Sequence, residues 1–147
     1  MKLKIDNETL AREFFEDSSL LGIVAPVKDY QLSWHLNQVL GFDFRLNNDF
    51  EIQLKRKERT YFFSIYEYKV PSTSLTHYLY NNQFDGEYLL PEFKHLDFLW
   101  LIKGEGGEPV SPEEQKNLIQ SIKSLAGVQL VIEMTNEKIK NKQHLIF

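Results

Sequence analysis

Apolar positions along the chain switch between helical and strand spacing, and the switches mark the elements. Residues 7–17 predict a short helix: Asn7 stands at the N-cap, and Leu10, Phe14 and Phe15 form a stripe among Glu8, Arg12, Glu13 and Glu16. Leu20 to Val27 reads as a strand that Pro26 stops. A second helix follows, with Asp29 as its cap, Leu32, Leu36, Val39 and Leu40 on one face and Gly41 at the C′ position. Trp34 lies off that stripe but four residues from Tyr30; the pair could widen the buried face, the favoured reading, or form an exposed aromatic patch.

The middle of the chain takes period two. Glu51–Lys55 and Thr60–Lys69 predict a hairpin around Arg56-Lys57-Glu58-Arg59. Leu75–Asn81 and Glu87–Leu90 predict another, turned by Asp85-Gly86. Leu96–Lys103 is apolar on both faces, which predicts a central strand covered on both sides. Gly104-Glu105-Gly106-Gly107 ends it; these glycines match no phosphate-binding fingerprint, and the glutamate would repel phosphate.

Ser111-Pro112-Glu113-Glu114 opens a third helix with Ser at the N-cap, Pro at N1 and Glu at N3. Leu118, Ile119, Ile122 and Leu125 face inward, and Gly127 ends the helix. From Val128 to Met134 the pattern alternates, with Val128, Leu130, Ile132 and Met134 assigned to one face. The terminal Leu145-Ile146-Phe147 is expected to dock on the body. These elements predict an α+β fold: a mainly antiparallel sheet of about five to seven strands with two or three helices packed on one face. Residues 20–40 could add a parallel pair. The expected organisation is a single domain over residues 1–147.

Composition narrows the class of function. The apolar share of 42% supplies a core, so disorder is not expected. The chain has no cysteine, which removes disulfides, thiolate metal sites and cysteine nucleophiles. A net charge of −4 gives no electrostatic reason to seek nucleic acid or an anionic membrane. No run is long enough for a membrane span, and Met1-Lys2-Leu3-Lys4-Ile5-Asp6 lacks a signal-peptide core. A cytoplasmic protein without metal or cofactor is the expectation.

Two places could carry function. Glu92, Lys94, His95 and Asp97 gather charge directly before the most apolar run, Leu99-Trp100-Leu101-Ile102. Glu92 and Asp97 could divide acid and base roles, and Glu92 with His95, three residues apart, could share a metal. The structural alternative is stronger: Pro91 fixes the approach to the strand, and the carboxylates accept hydrogen bonds from turn amides. The second place is the aromatic strand, where Tyr61, Phe63 and Ile65 take one face and Phe62, Tyr66 and Tyr68 the other. An uncovered aromatic face suits a protein partner. With Lys55, Arg56, Lys57 and Arg59 nearby it could also stack single-stranded bases, although no RNA-recognition signature is present.

The segment Leu90-Pro91-Glu92-x-x-x-Leu96-Asp97-Phe98 resembles the signature of the IPExxxVDY family, small uncharacterised proteins of Bacteroidetes. Pro91, Glu92 and Asp97 match it, while Leu90, Leu96 and Phe98 replace Ile, Val and Tyr. Leu21-Gly22-Ile23, Asp29 to Trp34, Tyr66-Glu67-Tyr68 and Lys142 to Phe147 are also similar to that family. The resemblance implies a bacterial, cytoplasmic protein and names no reaction. Phe98 in place of Tyr removes a phenol that an acid or base at that position would need.

Three functions are therefore weighed. The first is a non-enzymatic protein-binding or self-assembly module, such as a homodimer formed through a sheet edge or the aromatic face, with Trp34, Tyr66 and Tyr68 as contact candidates. The second is an enzyme or small-ligand protein with a pocket at Glu92, His95 and Asp97. The third is single-stranded nucleic-acid binding through Tyr66 and Tyr68.

Overall fold

The computed structural model describes residues 18–73, 75–104, 111–134, 139 and 142–145. The helix predicted over residues 7–17 and the terminal Ile146 and Phe147 lie outside the described residues.

The strands are β1 (Ser18–Val24), β2 (Arg45–Leu46), β3 (Ile52–Arg56), β4 (Arg59–Phe63), β5 (Ile65–Lys69), β6 (Leu75–Asn81), β7 (Gln83–Phe84), β8 (Glu87–Tyr88), β9 (Phe98–Gly104) and β10 (Leu130–Met134). The helices are α1 (Asp29–Leu40) and α2 (Pro112–Lys123), with short 3-10 turns at Pro91–Phe93 and Lys142–Leu145. A six-stranded sheet runs β10-β1-β9-β6-β5-β2, and two-stranded hairpins β3–β4 and β7–β8 stand apart from it. The fold is α+β with a mainly antiparallel sheet. Among the described residues every ladder is antiparallel, so residues 20–40 add no parallel pair there. After β1 and α1 the chain returns at the far edge, where Arg45 and Leu46 meet Glu67 and Tyr66 of β5.

β9 occupies the middle because both its faces are apolar. It pairs with β1 through Trp100 opposite Leu21 and with β6 through Trp100 opposite Leu79. Period two sends Phe98, Trp100 and Ile102 into one core cluster, joined by Leu32 and Leu36 of α1 and Ile122 of α2. Leu99 and Leu101 enter a second cluster with Ile52 and Phe63 of the β3–β4 hairpin, Leu89, Leu90, Leu96 and Leu145. Each fully buried leucine here contributes about 1.5–3 kcal/mol of burial. The carboxy-terminal turn docks through Leu145, fully buried, whose carbonyl accepts a 2.8 Å hydrogen bond from the Tyr80 hydroxyl.

Several local expectations are corrected. The strand predicted over 60–69 breaks at Ser64: β4 pairs with β3, while β5 joins the main sheet beside β6. The break is held by Asn81 N–H donating to Ser64 O and Asn47 N–H donating to Ile65 O. Asp85-Gly86 turns β7 into β8 rather than β6 into 87–90, with both turn residues at positive φ, as a type I′ hairpin requires. Lys28, not Asp29, is the N-cap of α1; its N–H donates to Gln31 Oε1 at 2.9 Å, and Asp29 takes the first helical position. Val39 is exposed, because the inner face of α1 is the narrower line of Leu32, Ser33 and Leu36. The shared face assigned from Val128 to Met134 divides: Val128 and Val131 pack on the first cluster, Ile132 and Met134 on the second. Val128 precedes the strand and so does not follow its parity, and Leu130 begins it on an edge, 42% exposed. At α2 the sequence expectation matches: Glu114 N–H donates to Ser111 Oγ at 3.1 Å.

Candidate functional site

The segment from Leu89 to Asp97 is wound around one side chain, Asn82. That residue is fully buried between β6 and β7. Its Nδ2 donates to Phe93 O at 3.1 Å and Leu96 O at 2.8 Å, and its Oδ1 accepts from Leu90 N–H at 2.9 Å. Its backbone adds a donor bond to Asp97 O and an acceptor bond from Leu89 N–H. A carboxamide is the one short side chain that donates twice and accepts at the same end. Pro91 suits the first position of the 3-10 turn, where a missing N–H costs no hydrogen bond.

Asp97 closes the same structure from the other side. Its Oδ2 accepts from Ala25 N–H at 2.8 Å, and its own N–H donates to Ile23 O at 2.8 Å. Ala25 lies just past the end of β1 and before Pro26, so the carboxylate replaces the ladder partner that the strand has lost. Leu96 lies over Gly22, where an added Cβ would stand 2.5 Å from Leu96 Cδ1. Hydrogen bonding and packing thus both favour the structural reading of the Pro91–Phe98 segment.

The cleft at Asp97 does not bring the three candidate residues together. Asp97 lines a cleft of about 300 Å³ with Val27, Lys28, Asp29, Asn81 and Phe84 at the start of α1, and neither Glu92 nor His95 lines it. Glu92 is half-buried in the 3-10 turn, and His95 is exposed, its ring 6.3 Å from that of Phe93. Among the described residues, no group of three or more His, Asp or Glu side chains is placed to hold a metal ion.

The aromatic strand also departs from expectation. Tyr66 is buried under α1, and its hydroxyl donates to Asp29 Oδ2 at 3.1 Å. Burial first, then the charge of Asp29, holds that phenol well above its usual pKa. Tyr68 packs against Phe42, at 5.4 Å, and His77, at 5.7 Å, in a cluster where those two rings also touch each other. The expected uncovered face is therefore roofed by α1 and by the Phe42–Phe44 segment that follows it. Trp34 is 59% exposed and Tyr30 61%, on the flank of α1 beyond its buried line, so the pair forms an exposed aromatic patch and does not widen the buried face.

His77 is a buried residue that sequence reasoning passed over. Trp100 Nε1–H donates to His77 Nδ1 at 2.9 Å. An indole nitrogen only donates, so Nδ1 carries no proton and the imidazole is neutral. Burial accordingly lowers its pKa from 6.5 to about 4. The available signal was its place between Leu75 and Leu79 on one strand face. Asn82 gave no such signal, since its partners lie 8 to 14 residues further along the chain.

With both faces of the sheet covered, its edges remain. β2 is only two residues long, and an Arg45–Asp43 ion pair sits on it. β10 is five residues, Leu-Val-Ile-Glu-Met, with one ladder partner, β1, among the described residues. No protein-family model, curated protein or solved structure matches the chain. Among the described residues, no helix is long and apolar enough to cross a membrane.

Proposed function

We propose that this protein is a non-enzymatic assembly module of the bacterial cytoplasm, and that it makes contact through a sheet edge. The observation that carries the reading is the strand order, which leaves β10 with a single neighbour among the described residues. An edge strand presents a row of main-chain donors and acceptors, and proteins usually blunt it with charge, proline or brevity. β2 has two of those guards; β10 is apolar apart from Glu133 and has neither lysine nor proline. The IPExxxVDY resemblance agrees with a non-catalytic role, since the signature positions Asp97 and Leu96 are engaged in holding β1 and Gly22.

The alternatives have less support. Tyr66 is buried beneath α1, and half-buried Tyr68 packs on Phe42 and His77, which leaves little ring face for stacking bases. A small-ligand site keeps one observation in its favour, the cleft that Asp97 shares with Asp29. Thermal-shift screening with small cationic ligands tests it: a gain lost in Asp97→Asn supports the site, and no gain with any ligand removes it.

Sedimentation velocity over a wide concentration range tests the assembly reading. The expected mass exceeds the 17.4 kDa of one chain as concentration rises, and Leu130→Lys, which alters only an exposed edge side chain, returns it toward one chain. A single-chain mass at every concentration sinks the proposal.

A further inference from the structure

Resting on the edge-assembly reading, we infer that the occupant of the β10 edge is β10 of a second copy, antiparallel about a twofold axis at Ile132. Ile132 and Met134 point toward the second core cluster, and Val131 toward the first. Leu130 shares the parity of Ile132, yet it is 42% exposed. It lies opposite Val24 of β1, so it is held on the apolar face of the sheet and uncovered on its outer side.

Cross-strand neighbours in an antiparallel pair share a face. A twofold axis at Ile132 sets Leu130 opposite Met134 of the second copy, Ile132 opposite Ile132, and Met134 opposite Leu130. All three pairs are apolar and lie on one face. On the other face Val131 meets Glu133, so the sole charge of the strand never opposes itself. Moving the axis to Glu133 would set two carboxylates directly opposite, and moving it to Val131 would set Leu130 against Ile132 while leaving Met134 without a partner. The sequence Leu130-Val131-Ile132-Glu133-Met134 thus selects one register. The pairing covers Leu130 and extends the sheet without a break through both copies. The β2 edge offers only two ladder residues, Arg45 and Leu46, with an ion pair upon it, so strand pairing there is short and the assembly closes at two chains.

The absence of cysteine makes the register directly readable by cysteine cross-linking in the otherwise unsubstituted chain. Directly opposed Cα atoms in an antiparallel pair lie about 4.5–5.5 Å apart, within the span of a disulfide. Ile132→Cys is expected to give a disulfide-linked dimer under mild oxidation. Leu130→Cys and Met134→Cys are expected to cross-link when mixed but not separately. Gln53→Cys, on the exposed hairpin, is the collision control. Cross-linking no greater than this control at all three β10 positions, in variants with the circular dichroism of the parent, overturns the proposal. The unsubstituted chain keeps the tests separate. If it sediments as a dimer without register-specific cross-links, assembly uses another surface and only the β10 pairing falls. If it stays a single chain, both fall.

Discussion

Asn82 and His77 are the residues on which the rest of the fold depends most sharply. Removing the Asn82 carboxamide leaves Leu90 N–H, Phe93 O and Leu96 O without the bonds it supplied. Asn82→Ala is expected to cost about 3 kcal/mol or more, against less than about 0.5 kcal/mol for the exposed Asn48→Ala. Urea denaturation measures both, and equal costs would contradict the role given to Asn82. His77 makes stability depend on pH. Its folded pKa, about 4, lies below the ordinary 6.5, so the unfolded chain takes up the proton first. The contribution is complete above about pH 6.5 and is lost as pH falls toward 4, reaching about 3 kcal/mol. His77→Gln keeps an acceptor for Trp100 and is expected to flatten that part of the profile. An unchanged slope in the variant would place the dependence on other groups. The sequence hinted at His77 by strand parity, while the partners of Asn82 could be found only once the chain had folded.

At the scale of the element, local signals were read well where the controlling contact is near in sequence. The Ser111 cap of α2 and the two-sided burial of β9 are of this kind. Reading faltered where a distant contact decides. The break at Ser64 depends on Asn81 and Asn47, and the position of Asp29 within α1 is tied to Tyr66. Trp34 and Val39 are exposed although helical periodicity favours burying them, because the burial of a helix face depends on how far the sheet beneath it extends. That assignment can be checked by acrylamide quenching: Trp34 is expected to be quenched and Trp100, fully buried, to be protected. Two equally accessible tryptophans would contradict the placement of α1. The contact of β1 with the Leu96 turn is equally specific. Gly22→Ala forces Leu96 and Met134 to shift and is expected to cost about 1–3 kcal/mol, part of it recovered by Leu96→Val. Denaturation of the double variant tests the coupling, and strictly additive losses would refute it.

For the whole molecule, the aromatic strand and the Pro91–Phe98 segment, the two candidate sites most legible in the sequence, are largely occupied in holding the fold together. Outside them, the sheet boundary and the exposed Tyr30–Trp34 flank of α1 remain open to a partner, and strand order is not legible from local patterns. Hydrogen–deuterium exchange of the unsubstituted chain at low and high concentration tests the edge account most directly. The account predicts that amides of Leu130–Met134 become slower to exchange as concentration rises, while those of the β3–β4 hairpin do not change. Exchange across β10 that is independent of concentration, in samples that sediment as dimers at the higher concentration, would contradict it.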